Sequence, residues 1–243
     1  MLNKSLARMG ANTLGIDASE SNITIASVHS SADPKLSSGS TTLSNQGSLT
    51  YLHSSAESLL SLPKRYDVVC SMEVLEHVDN PATFLSTCAE LLKVGVLFSF
   101  HIEIPFKFLP WEQPGGHLFL STISRTPLAY ALTILLAEDI LRKVTSGTHT
   151  YSKFIKPAEL VRFFREYRSP GKVDLGADHL DSTLPSVGPW ISTPSSSTYL
   201  PRLQAELRGL IYNPLQARWI LAPRDAWGAL ECNYLFWVRK PKP

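Results

Sequence analysis

The sequence predicts an α/β protein built on a doubly wound sheet. Two observations carry this: short buried strands alternate with helix-patterned segments, and several of those strands end on a carboxylate or a polar cluster. A third bounds the size. With 243 residues, 44% of them hydrophobic, the chain has material for one core and is read as a single domain over 1–243.

Leu2, Leu6 and Met9 fall at helical spacing, and Gly10 stops that helix. Residues 13–17, TLGID, read as a short buried strand ending on Asp17. A second helix is expected over 19–29, capped by Ser19 or Ser21, and the Ser/Gly/Thr/Asn-rich stretch 30–48 as a surface loop. Strands follow at 49–53 and 66–72, then a helix opened by Asn80-Pro81 and running to Leu92. Residues 117–123 form another strand. Thr126-Pro127 caps a helix to about Val144, and Pro157 opens one to about Tyr167. A polar Pro/Ser-rich connection over 173–199 leads to late strands at 209–212, 218–221 and 233–239.

The formal charge of +2 and the lack of a Lys/Arg block exclude a nucleic-acid footprint. Cys70, Cys88 and Cys232 lie far apart in no C-x-x-C pair, which excludes a disulfide scaffold and a cysteine zinc site. No signal or transit peptide is read at Met1. The longest apolar run in a helical setting, 128–137, is about half of the roughly 20 residues a membrane span needs, so a soluble or peripheral protein is expected.

In doubly wound sheets ligands sit at the carboxyl ends of the strands. Asp17, Glu73 and the residues after Ile123 lie at such ends. A carboxylate like Asp17 suits a ribose diol, and equally suits the cap of the next helix; position alone does not choose. In YDVVCSMEVLEHVDNP (66–81) the apolar run stops at Glu73, Glu76 and His77, spaced i, i+3, i+4. On one helical turn these suit a cation, yet two glutamates also suit a helix N-terminus and the histidine could simply pack. Magnesium prefers oxygen, which makes His77 the least natural ligand of the three.

The segments LARMGANTLGIDASESNITIASVHSSADPKL, YDVVCSMEVLEHVDNP, PGGHLFLSTISRTPLAYALTI, GTHTYSKFIKPAEL, GLIYNPLQARW and NYLFWVRK resemble the ubiquinone-biosynthesis O-methyltransferases, within the class I S-adenosylmethionine-dependent methyltransferases. The resemblance implies a Rossmann-like sheet and methyl transfer to a phenolic oxygen of a polyprenylated catechol or quinol: polyprenyl dihydroxybenzoate and demethylubiquinol. It implies that Asp17 binds the ribose of S-adenosylmethionine, that Met72 packs on that cofactor, and that Glu57 approaches its adenine. Glu73, Glu76 and His77 match positions that hold Mg2+ in eukaryotic members, and His149 is the candidate for contact with the substrate. The implied setting is the matrix side of the mitochondrial inner membrane, peripherally bound within a ubiquinone-synthesis complex. The segment 126–156, apolar helix and loop, becomes a candidate lid for the isoprenoid tail or the membrane surface.

Two departures from the family pattern lower the expected activity. The chain begins after the point at which members carry a central first strand and a glycine-rich turn, so weak or no cofactor binding is expected. Residues 94–113 read as an insertion: without them Lys93 joins Pro114 in AELLKPGGHLFLSTI. Its Val and Gln ends fit an in-frame retained intron, and its aromatic content, from Phe98 to Trp111, is an aggregation liability. A second reading of a different class is a catalytically inactive homologue that binds a membrane or a complex.

Overall fold

The structure is a computed structural model. It describes residues 2–37, 47–98, 111–113, 115–140, 147, 149–170, 187–192, 200, 204–213 and 216–242. The chain was expected as one domain. It divides into two compact units, Met1–Leu62 and Pro63–Pro243, each described here by itself.

The N-terminal unit holds α1 (Leu2–Arg8), β1 (Thr13–Asp17), α2 (Glu20–Ser31), α3 (Pro34–Ser37), β2 (Leu49–His53) and α4 (Ala56–Leu59). β1 and β2 pair in parallel, Thr13 with Leu49 through Asp17 with His53. Asp33 is buried and ion-paired to Lys4 at 3.1 Å and to Arg8, which ties α1 to the end of α2. Gly15 allows the close packing of this unit, since a Cβ there would lie 2.6 Å from the Tyr51 ring. Of the surface loop expected over 30–48, residues 38–46 lie outside the described residues.

The C-terminal unit contains β3 (Val68–Met72), α5 (Pro81–Glu90), β4 (Val96–Phe98), β5 (Trp111–Gln113), β6 (His117–Ile123), α6 (Pro127–Tyr130), α7 (Pro157–Glu166), β7 (Ala205–Asn213), β8 (Arg218–Leu221) and β9 (Asn233–Arg239). Its main sheet runs β3-β6-β9-β7-β8. β3 and β6 are parallel, and β9 is antiparallel to both β6 and β7. The strand that follows last in sequence is therefore inserted between two earlier ones. Along β9 burial alternates residue by residue, with Tyr234, Phe236 and Val238 facing the core. Among the described residues β1 and β3 belong to different sheets, and neither is the ladder partner of the other.

α5 begins where Asn80-Pro81 demands it. The Asn80 side chain accepts the Thr83 N–H at 3.1 Å, and proline at the first helical position needs no donor partner. Its far end is finished by a buried cation: Lys240 Nζ donates to the carbonyls of Ala89 and Leu92, both at 3.0 Å. The helix expected over 126–144 differs from expectation. α6 is a single turn, capped by Thr126 through the Ala129 N–H at 3.1 Å, and residues Ala131–Ile140 continue as a π-helical segment. A wider coil shifts the face pattern away from the 3.6-residue period on which the expectation rested. The basic end at 141–144 lies outside the described residues. Among the described residues no helix is long and apolar enough to cross a membrane.

The segment 94–113, read from the sequence as an insertion, has its two flanks close together. The Gly116 N–H donates to the Lys93 carbonyl at 3.1 Å, so the flanks meet directly. β4 and β5 pair antiparallel as a separate two-stranded sheet, and 99–110, with Phe100, Phe106 and Phe108, lie outside the described residues.

Burial lowers the Lys240 pKa to about 8 from the ordinary 10.5; Glu90 pulls the other way and Arg65 reinforces the fall. Between those values the unfolded chain holds a proton that the folded one has lost, so stability rises with pH across that window. The raised phenols of Tyr167 and Tyr234 act in the opposite sense, above their ordinary value of 10. Urea unfolding at pH 8 and pH 9.5 is therefore expected to show a gain of about 1–2 kcal/mol that Lys240→Met removes. A pH-independent wild-type midpoint contradicts this.

Candidate active site

In the N-terminal unit, Asp17 ends β1 with both oxygens engaged. Oδ1 accepts the Ser19 N–H at 2.8 Å, and Oδ2 accepts from the Asn22 amide at 3.2 Å. Ser19 in turn caps α2, so of the two uses open to Asp17 its contacts in this structure serve the start of that helix. β2 ends at the same edge: the Ser54 N–H donates to the Asp17 carbonyl at 3.1 Å, and His53 Nε2 lies 3.0 Å from the Ala18 carbonyl. Glu57 lies in the first turn of α4, two residues past the Ser55 cap.

In the C-terminal unit the end of β3 turns sharply. Met72 pairs with Ser121, and Glu73 follows with φ at +52°, a left-handed conformation that is uncommon for a side chain of this kind. Its N–H donates to the Ser121 carbonyl at 3.0 Å and lies 3.1 Å from Ser121 Oγ. The three candidate ligands therefore lie on a turn before α5 and not on a helix, which corrects the expectation drawn from their spacing. The left-handed residue breaks the helical path, and the helix waits for Asn80-Pro81.

Neighbouring strands seize both carboxylates. Ser121 Oγ donates to Glu73 Oε1 at 2.7 Å and the Asn233 amide donates to Glu73 Oε2 at 3.1 Å. Thr122 Oγ1 donates to Glu76 Oε2 at 2.7 Å. Successive strand residues face opposite sides, so β6 serves each glutamate with its own hydroxyl. Burial raises the Glu73 carboxyl above the usual range, and the nearby Glu76 charge raises it further. The Ser121 and Asn233 hydrogen bonds and His149 oppose the rise. The residue as a whole is exposed; it is the carboxylate, drawn inward by Ser121 and Asn233, that loses water.

Glu76 is buried at 3% exposure, and its Oε1 has no hydrogen-bond partner among the described residues. A buried carboxylate oxygen left so is costly and asks for a cation or a donor. His77 Nε2 lies 4.0 Å from it. The His149 ring lies 5.7 Å from that of His77 and 6.2 Å from Phe154, so the structure does bring His149 to this turn. Yet among the described residues no three of His, Cys, Asp or Glu gather as a group that could hold a metal. The Glu73 carboxylate is turned toward Ser121 and Asn233.

Beside the turn lies a groove of about 510 Å³ between α5 and α7, floored by Val78, Leu85, Phe154, Leu160 and Phe163. Lys153 and Asp79 pair across its rim at 2.9 Å.

The model of the methyltransferase domain family matches residues 1–100. The mitochondrial ubiquinone biosynthesis O-methyltransferase of Schizosaccharomyces pombe is 36% identical over 99% of this chain and 65% of its own length. That of Dictyostelium discoideum is 33% identical over 97% of this chain and 55% of its own length. The ubiquinone biosynthesis O-methyltransferase of Leptothrix cholodnii is 34% identical over 85% of this chain and 74% of its own length. The chain belongs to the ubiquinone biosynthesis O-methyltransferase family. It spans less than two thirds of the first two of these relatives.

For this member of the methyltransferase family, the residues that reading the sequence missed are Ser121, Thr122 and Asn233. The signal was present: a Ser-Thr pair inside the apolar strand HLFLSTI, and a lone Asn opening NYLFWVR. Both hydroxyl residues are buried, at 3% and 0% exposure, and a buried hydroxyl demands a partner.

Proposed function

We propose that the protein transfers a methyl group from S-adenosylmethionine to a phenolic hydroxyl of a polyprenylated catechol or quinol in ubiquinone biosynthesis. The observation that carries this reading is the 34% identity to a relative of that name across 74% of its length. Asp17 would take the cofactor ribose, trading its contacts with Ser19 and Asn22 for the diol. Glu57 and Met72 would approach the adenine and the cofactor's flank.

A phenol with a pKa near 10 is a weak nucleophile at neutral pH. A bound Mg2+ would lower that value and fix the two catechol oxygens for in-line attack. Glu73, Glu76 and His77 would hold it. What supports them is the chemistry of the donor set: an orphaned buried oxygen on Glu76, and carboxylates oriented by hydrogen bonds as metal ligands usually are. His149, beside His77, would meet the substrate ring. The groove between α5 and α7 offers apolar wall for the first part of an isoprenoid tail.

The setting proposed is mitochondrial, as the names of two relatives have it, with peripheral contact to the inner membrane and membership of a ubiquinone-synthesis complex. Calorimetric titration of S-adenosylhomocysteine into the purified protein, with magnesium present, tests the cofactor half. Micromolar binding would support the enzyme reading, against the weak or absent binding that the two departures from the family pattern lead one to expect. No heat from a folded sample supports the inactive-homologue reading instead.

A further inference from the structure

The geometry points to the ribbon formed by β7 and β8 as the surface that meets the bilayer, at an interface of anionic phospholipid. The inference rests on the peripheral membrane contact proposed above and gives it a place other than the segment 126–156.

β9 begins at Asn233, opposite Leu210 of β7. β7 runs on to Asn213 and β8 returns from Arg218 to Leu221, so the pair continues as a two-stranded ribbon past the end of the sheet. That is the end at which the site turn lies, since the Asn233 amide holds Glu73. The ribbon is apolar on both faces. Tyr212 and Trp219 lie opposite each other on one, with rings 5.4 Å apart, and Ile211 and Ile220 on the other. These four and Leu221 are between 38% and 55% exposed. Two strands alone cannot cover both of their faces.

Charge selects what does. From Gly209 to Arg224 the sequence has no Asp or Glu, and Arg218, which donates to Gln216 at 2.8 Å, meets no carboxylate among the described residues. A second copy of the chain would present its own Arg218 and no acid, and pairing along the free edge of β8 would leave both faces in water. A lipid interface covers both faces and the edge together. Tyrosine and tryptophan belong at headgroup depth, arginine meets anionic headgroups there, and water at that depth still reaches the unpaired backbone of an edge strand. Docked on this ribbon, the Glu73 turn stands at the surface in which a polyprenylated acceptor is dissolved.

Co-sedimentation of the whole chain with vesicles of phosphatidylcholine, alone and with phosphatidylglycerol added, reads this without any methyl transfer. Binding that needs the anionic lipid is expected. Arg218→Gln should weaken it about fivefold, and Trp219→Glu and Ile220→Glu, one on each face, at least about tenfold, with melting temperatures unchanged. If Trp219→Glu fails to fold, Ile220→Glu carries the test. Leu132→Glu and Leu135→Glu, at exposed positions of the segment 126–156, should leave binding as it is. Vesicle binding by a wild type that methylates no catechol contradicts the enzyme reading and leaves the role of the ribbon standing. Three results overturn the inference: no vesicle binding by the wild type, binding lost in Leu132→Glu or Leu135→Glu but kept in Trp219→Glu and Ile220→Glu, or a dimer in light scattering that Ile220→Glu dissociates.

Discussion

Glu73→Gln and Glu76→Gln are each expected to lower methyl transfer at least about 100-fold, a loss of about 2.7 kcal/mol of transition-state stabilisation. Glutamine keeps the shape of each side chain and removes its charge. At Glu76 the amide oxygen can still accept from Thr122, so the fold at the end of β6 should hold. What changes is the carboxyl oxygen that is buried with no hydrogen-bond partner among the described residues. The effect should fall on turnover and on the affinity for the catechol, and leave that for S-adenosylhomocysteine within about twofold. Steady-state kinetics with both substrates varied separates these. A variant with wild-type turnover would show that the turn is structural.

The second large effect is on stability. Phe164 is fully buried, its ring stacked on Phe236 at 5.6 Å and tilted against Trp190 at 5.3 Å, and its carbonyl accepts the N–H groups of Trp190 and Ile191. It joins α7, β9 and the chain at 190–191 into one cluster. Phe164→Ala removes the ring but not the backbone bonds, and is expected to cost about 3–5 kcal/mol through lost burial and the cavity left behind. Urea unfolding followed by tryptophan fluorescence measures it. A cost below about 1 kcal/mol would mean that the cluster collapses freely around the gap and is not the core of the C-terminal unit.

The parts of this fold that were legible in the sequence are those fixed by local pattern. β1, β2, β6, β8 and β9 begin and end at the residues their hydrophobic runs and flanking turns dictate. β7 starts four residues earlier than read, at Ala205, because Glu206 and Arg208 resemble loop residues until their pairing with Arg224 and the Ala222 carbonyl is known. The π-helical stretch at Ala131–Ile140 was hidden for a different reason: an apolar run carries no mark of its pitch. At the candidate site, residue type and the family pattern singled out Glu73, Glu76, His77 and His149, and the structure brings the His149 ring to within 5.7 Å of that of His77. The positive φ of Glu73 was not, since no glycine announced it. Nor were its partners, which lie 48 and 160 residues away in the chain. Side-chain clamps between distant strands are set by register, and register is decided by the whole sheet.

Incubating the purified protein with methyl-labelled S-adenosylmethionine, Mg2+ and a short-chain prenylated catechol tests the central claim most directly. Label appearing as a methyl ether on the catechol oxygen, and falling away in Glu73→Gln, is the predicted result. A folded protein that binds S-adenosylhomocysteine but leaves the catechol unlabelled would contradict the account.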